Sequence, residues 1–199
     1  KMPFIEKEKT DAQLTIYAAT KKANESMAHS YAYLWKIPTT MFRFFTVYGP
    51  WGRPDMALFL FTKAILDGEP IQVFNDGKMI RDFTYIDDIV SGIKGAILNP
   101  SKATQGNNAK LKPSTSSAPY RIFNLGNNQP VSLENFINAI EVSTGKKAIK
   151  EYLPMQPGDV KKTFANIDKA GESLGFIPST SIEEGIKKFV AWYIKYYER

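Results

Sequence analysis

Thr39-Thr40-Met41-Phe42-Arg43-Phe44-Phe45-Thr46-Val47 is an almost unbroken apolar, aromatic and β-branched run, set between Ile37-Pro38 and Tyr48-Gly49-Pro50. A run without polar alternation predicts a parallel strand covered on both faces, and hence an α/β fold. Ligands of open α/β sheets collect beyond the carboxyl ends of such strands, which places a site on the Gly/Pro-rich loop from Thr46 to Arg53. Arg53 suits a carboxylate, because a guanidinium grips one with two parallel hydrogen bonds. Upstream, an apolar helix over residues 14–35 ends before Pro38, with Thr10 and Gln13, or Thr15, available to cap its start. Its Met27, Tyr31, Leu34 and Trp35 are spaced as a core stripe, and His29 falls off that stripe. Tyr17 and Lys21 stand one turn apart on the same helix, so both can act on one group. An ammonium beside a phenol favours the phenolate, which gives a tyrosine the means to act as a base.

Downstream, Asp55 is placed to cap a helix over 56–66 that turns Phe59, Thr62, Ile65 and Leu66 inward and stops at Asp67-Gly68. Ile71 to Phe74, the Asn75-Asp76-Gly77 turn and Ile80 to Thr84 read as a hairpin. A helix from about Thr84 to Leu98 follows, with Asp87 and Asp88 suiting its amino end and Ile89, Ile93, Ala96 and Ile97 packing inward. Pro100 to Pro119 is rich in Ser, Thr, Asn and Lys and reads as a mobile surface loop. Then come a strand at Tyr120 to Leu125, a helix capped by Ser132 and ended by Gly145, and a strand at Ile149 to Leu153. The last helix opens with the capping box Ser181 to Glu184 and carries an apolar stripe from Ile182 to Tyr197.

Composition narrows the function. The 199 residues are 43% hydrophobic, enough to bury a sizeable core. No stretch is apolar enough to span a membrane or to form the core of a secretion signal, and a cytosolic protein is expected. With no cysteine and a single histidine, His29, neither thiol chemistry nor a metal centre is expected. The net charge of +6 is spread over scattered lysines. They form no stripe with interleaved aromatics, so a nucleic-acid partner is not expected, although the field would attract an anionic ligand.

The ordered set Tyr17-Ala18-Ala19-Thr20-Lys21, Met41 to Ala57, Arg81-Asp82-Phe83-Thr84-Tyr85-Ile86-Asp87-Asp88 and Gln156-Pro157-Gly158-Asp159-Val160 resembles the extended short-chain dehydrogenase/reductase family. Within it the set is similar to the UDP-glucuronate 4-epimerases. That resemblance implies the C-terminal part of a Rossmann-like doubly wound sheet plus a small mixed α/β domain for a nucleotide sugar. Residues 1–50 would belong to the dinucleotide-binding domain and 51–199 mainly to the substrate domain, with segments at about 84–100 and 120–126 returning to the first sheet. It also implies NAD as cofactor, with Tyr17 and Lys21 catalytic and both contacting NAD. Phe45 and Val47 would line the nicotinamide, and Thr46 and Arg53 would hold the glucuronate. Val73 would lay its backbone against uracil, Arg81 would meet the diphosphate, and Asp159 would bond the uridine ribose. Many relatives carry Arg at the position of Gln156, which leaves Arg81 as the clear diphosphate arginine. The implied reaction inverts carbon 4 of a UDP-hexuronic acid, with a homodimer formed through the helix 14–35. No glycine-rich phosphate turn stands among the sixteen residues before Tyr17. An incomplete piece of the enzyme is therefore expected, with poor NAD affinity and no activity by itself. A dehydratase or decarboxylase of the same family, and a non-catalytic UDP-sugar-binding module, are the alternatives.

Overall fold

The computed structural model describes residues 2–104, 116–156 and 160–198. Among the described residues the elements follow one another as α1 (Ile16–Trp35), β1 (Thr39–Phe44), β2 (Thr46–Tyr48), α2 (Ala57–Asp67), β3 (Pro70–Phe74), a 3₁₀ turn (Asn75–Gly77), β4 (Ile80–Tyr85), α3 (Ile86–Leu98), β5 (Tyr120–Leu125), β6 (Pro130–Ser132), α4 (Leu133–Thr144), β7 (Ile149–Leu153), α5 (Asp168–Leu174) and α6 (Ile182–Tyr196). The α/β class expected from the Thr39 to Val47 run holds, since three of the four strand pairings among the described residues are parallel. The chain divides into two compact units, with α3 beginning in the second and continuing in the first.

Unit 1 comprises Lys1–Phe44, Val90–Leu125 and Ala165–Ile177. Its centre is the parallel pair β1 and β5, in register from Thr39 opposite Tyr120 to Phe44 opposite Leu125. Helix α1 packs on this pair through Ala28 and Ala32, against Met41, Tyr120 and Ile122. Glu25 and His29 complete the inward face. Glu25 binds Arg43, while His29 Nε2 lies 2.8 Å from Ser116 Oγ and its ring meets Tyr120 edge-on. The packed stripe is therefore 25-28-29-32. Met27, Tyr31, Leu34 and Trp35, expected in the core, are all more than half exposed. The small alanines permit the close approach, and the large side chains are centred about a third of a turn away. A similar close approach governs α3, where a Cβ on Gly95 would stand 2.3 Å from the Leu174 carbonyl oxygen of α5. Ile97, expected inward on α3, is 74% exposed. The 100–119 stretch is not wholly surface either. Ser101, Ser116 and Ala118 are buried, and the Ser101 hydroxyl donates to the Pro119 carbonyl. Residues 105–115 lie outside the described residues.

Unit 2 comprises Phe45–Ile89, Gly126–Phe164 and Pro178–Arg199. It holds a three-stranded sheet in the order β2-β4-β6 and the parallel pair β3-β7. Phe59, Phe61, Ile65, Ile71, Val73, Phe83, Phe136, Ile140, Ile186, Phe189 and Tyr193 form one buried cluster, to which α2, α4 and α6 each contribute. Two expectations are corrected here. The Thr39 to Val47 run is not a single strand, because it breaks at Phe45 and its two parts pair with different partners. Nor do Ile71 to Phe74 and Ile80 to Thr84 form a hairpin. The 3₁₀ turn redirects the chain, so that β3 pairs with β7 while β4 pairs with β2 and β6.

Candidate active site

In unit 1 the first turns of α1 carry Tyr17 and Lys21. The Thr15 hydroxyl caps the helix by accepting the Ala18 N–H at 3.1 Å, and Thr20 Oγ1 donates to the Tyr17 carbonyl at 2.7 Å. The cap sets the register of the helix, and the i, i+4 spacing then brings the Lys21 ammonium to 5.3 Å from the centre of the Tyr17 ring. Both side chains are exposed, Tyr17 by 70%. The pair thus presents a phenol hydroxyl and a cation together on an open helix face.

In unit 2 the segment after Phe45 runs along β2, where Thr46 and Val47 pair with Phe83 and Thr84 of β4. Tyr48 is buried and donates to the Ser181 carbonyl at 3.2 Å, anchoring the strand end to the start of α6. Burial pushes its hydroxyl pKa upward, so it stays a neutral donor. The chain then turns at Gly49, whose φ of +147° and a would-be Cβ at 2.5 Å from Ile86 Cγ2 admit only glycine. This turn delivers Arg53 to solvent.

Asp55, expected to cap α2, does not do so, since the helix begins after Met56 with no side-chain cap. Instead Arg53 Nε donates to Asp55 Oδ1 at 3.0 Å and Nη2 to Oδ2 at 2.5 Å. The hydrogen bonds from Arg53 hold the Asp55 carboxyl below the usual carboxylate range. A hollow of about 460 Å³ lies beside it, bordered by Asp55, Ala57, Leu60, Phe61, Gln72 and Phe74 among others. Val73, between two of those residues, turns its side chain into the core and is fully buried. Strand alternation therefore leaves Gln72 and Phe74, which sequence reasoning passed over, as the side chains on the hollow. The signal was available in the two-residue period of β3.

Arg81 is half-buried on β4, opposite Val131, with its Nη1 on the Ile80 carbonyl. Its neighbour Asp82 is fully buried and accepts the Asn127 and Asn128 N–H groups at 2.7 and 3.2 Å. Asp88 accepts the Thr180 N–H at 3.1 Å, in keeping with a structural role for that acid. Asp159 lies outside the described residues. Among the described residues, no group of three or more acidic or histidine side chains could hold a metal, and no helix is long and apolar enough to cross a membrane.

Residues 1–111 match the NAD dependent epimerase/dehydratase family. The chain belongs to that family. Over 198 residues it is 51% identical to protein CapI of Staphylococcus aureus, covering 99% of this chain and 59% of the relative. Over 201 residues it is 51% identical to a probable UDP-glucuronate 4-epimerase of Rhizobium meliloti, covering 100% and 59%. Among solved structures, the UDP-glucuronic acid 4-epimerase of Bacillus cereus in complex with UDP-glucuronic acid and NAD superposes with a TM-score of 0.80 at 32% identity, over 98% of this chain and 58% of that one. The epimerase Mth375 of Methanothermobacter thermautotrophicus gives 0.85 at 25% identity, over 100% and 55%. The chain thus spans less than two thirds of the length of these relatives.

Proposed function

We propose that the protein carrying this chain inverts carbon 4 of a UDP-hexuronic acid, interconverting UDP-glucuronate and UDP-galacturonate through a 4-keto sugar. The observation that carries the reading is the capped, exposed Tyr17 and Lys21 pair on α1, in a chain half identical to a probable UDP-glucuronate 4-epimerase. We assign unit 1 to the dinucleotide-binding half of the enzyme and unit 2 to the UDP-sugar half.

The residues present fit NAD as cofactor, because Tyr17 and Lys21 offer a hydroxyl and a cation together at an open surface. When bound, NAD supplies the hydride acceptor and donor for the sugar carbon. Tyr17 Oη takes the proton of the sugar 4-hydroxyl and returns it after the ketone has turned over. The Lys21 ammonium offsets the negative charge on the phenol oxygen and is available to a ribose hydroxyl of the cofactor. The segment Phe45 to Val47 borders the nicotinamide, with Thr46 toward the sugar. Arg53 receives the uronate carboxylate, the backbone at Val73 meets the uracil, Arg81 the diphosphate and Asp159 the ribose. The hollow flanked by Gln72 and Phe74 fits a flat base held against strand backbone.

We further assign the protein to the cytoplasm and to bacterial polysaccharide synthesis, and read α1 as a dimer contact. In support, the 199 residues contain no cysteine, and Tyr31, Leu34 and Trp35 expose apolar surface. A clean monomer by light scattering at high concentration would remove the dimer. For the reaction, the full-length protein is incubated with UDP-glucuronate and the products are followed by proton NMR. Tyr17→Phe should abolish inversion and leave UDP-sugar affinity within about twofold, since only the proton-transfer group is lost. Inversion at an undiminished rate in that variant would overturn the reading.

A further inference from the structure

The pairing of Arg53 with Asp55 bears on how an acid sugar is selected. The two residues flank Pro54, whose fixed φ holds them on one side of a tight turn. The Nε and Nη2 edge of the guanidinium meets both carboxylate oxygens, in the two-bond geometry that any carboxylate adopts on arginine. One such edge takes one carboxylate at a time. Both side chains are largely in solvent, at 71% and 63% exposed. An ion pair so exposed is weak and exchangeable. Arg53 also keeps Asp55 acidic, so the carboxylate stays charged throughout the neutral range.

We infer that Asp55 is an internal rival for the substrate's carboxylate: it occupies the guanidinium edge that the uronate takes, and binding proceeds by exchange of one carboxylate for the other. The inference rests on the reading of Arg53 as the uronate contact. Its consequence is selectivity. A sugar bearing a carboxylate can replace Asp55 without leaving the guanidinium unpaired, whereas a neutral hexose leaves the internal pair closed and gains nothing from Arg53. The rivalry also screens Arg53 from small anions, at the expense of part of the affinity for the acid sugar.

The test is calorimetric titration of the full-length protein and its Asp55→Asn variant with UDP-glucuronate, UDP-glucose and UDP. Asparagine keeps the shape and removes the charge. UDP-glucuronate should bind the variant about two- to fivefold more tightly, the range that an exposed ion pair spans. UDP-glucose and UDP should shift by less than about 1.5-fold, and the gain should shrink near ~0.5 M salt, where surface pairs are screened. Unchanged or weaker binding of UDP-glucuronate, or equal tightening of all three ligands, would overturn the inference. Arg53→Ala separates the two layers. If that variant binds UDP-glucuronate as the parent does, the assignment of Arg53 falls and the rivalry with it. If Arg53→Ala weakens binding while Asp55→Asn changes nothing, the rivalry alone falls. Retained UDP affinity reports that each variant is folded.

Discussion

Glu25 and Arg43 meet across α1 and β1, with Arg43 Nε and Nη2 at 2.7 and 3.0 Å from the two carboxylate oxygens and Lys22 Nζ at 3.3 Å. Burial by itself would raise the Glu25 pKa, but the hydrogen bonds and charges of Arg43 and Lys22 outweigh it and hold the group below its ordinary 4.5. A carboxylate lowered in the folded state stabilises above its unfolded pKa, and that stability is lost as the pH falls through the folded value. Thermal melts should therefore show Tm dropping on the acid side of about pH 4.5, and Glu25→Gln should flatten that limb. At neutral pH the variant should lose about 1–2 kcal/mol, the part of a half-buried charged hydrogen bond that solvent does not screen. Parallel acid limbs for the two proteins would refute this assignment. Nothing in the sequence pairs these residues, which stand eighteen positions apart. By contrast, the caps at Thr15, Ser132 and Ser181 were readable, because each accepts an N–H only three residues on.

Among the elements, the sharpest contrast is between two glycines. Gly95 on α3 faces the Leu174 carbonyl of α5, and Gly95→Ala should cost about 2–3 kcal/mol as the backbones are forced apart. Gly68 ends α2 with a φ of +75° and open space around it, so Gly68→Ala should cost only about 1 kcal/mol of left-handed strain. Urea midpoints for both variants check the order, and a larger loss at Gly68 would reverse it. The stops at Gly68 and Gly145 were legible, as were β5 and the stripe of α6, since a C-cap and a helical period are local properties. The packed face of α1 was not. Its apolar stripe is real, yet the face laid on β1 and β5 is the one with alanines at 28 and 32. Side-chain size there decides how near the helix can come, and hydrophobicity does not report it.

For the whole molecule, the contacts proposed for UDP all fall in unit 2 while Tyr17 stands in unit 1, so UDP affinity measured on the full-length protein should survive Tyr17→Phe. Calorimetry with UDP checks it, and loss of UDP affinity in that variant would refute it. The sequence by itself determined the α/β class and the order of nearly all elements, and it supplied the residue types that the proposal uses for proton transfer and for carboxylate and diphosphate grips. Those properties follow from local periodicity and from the chemistry of single side chains. Only the tertiary structure decided that the 39–47 run divides at Phe45 between two sheets, that β3 pairs with β7, that Ala165–Ile177 joins unit 1, and that Asp55 faces Arg53. Strand partners and ion pairs are chosen by segments far apart in the chain, or by a turn's geometry. A linear pattern of apolar and polar residues carries no record of either.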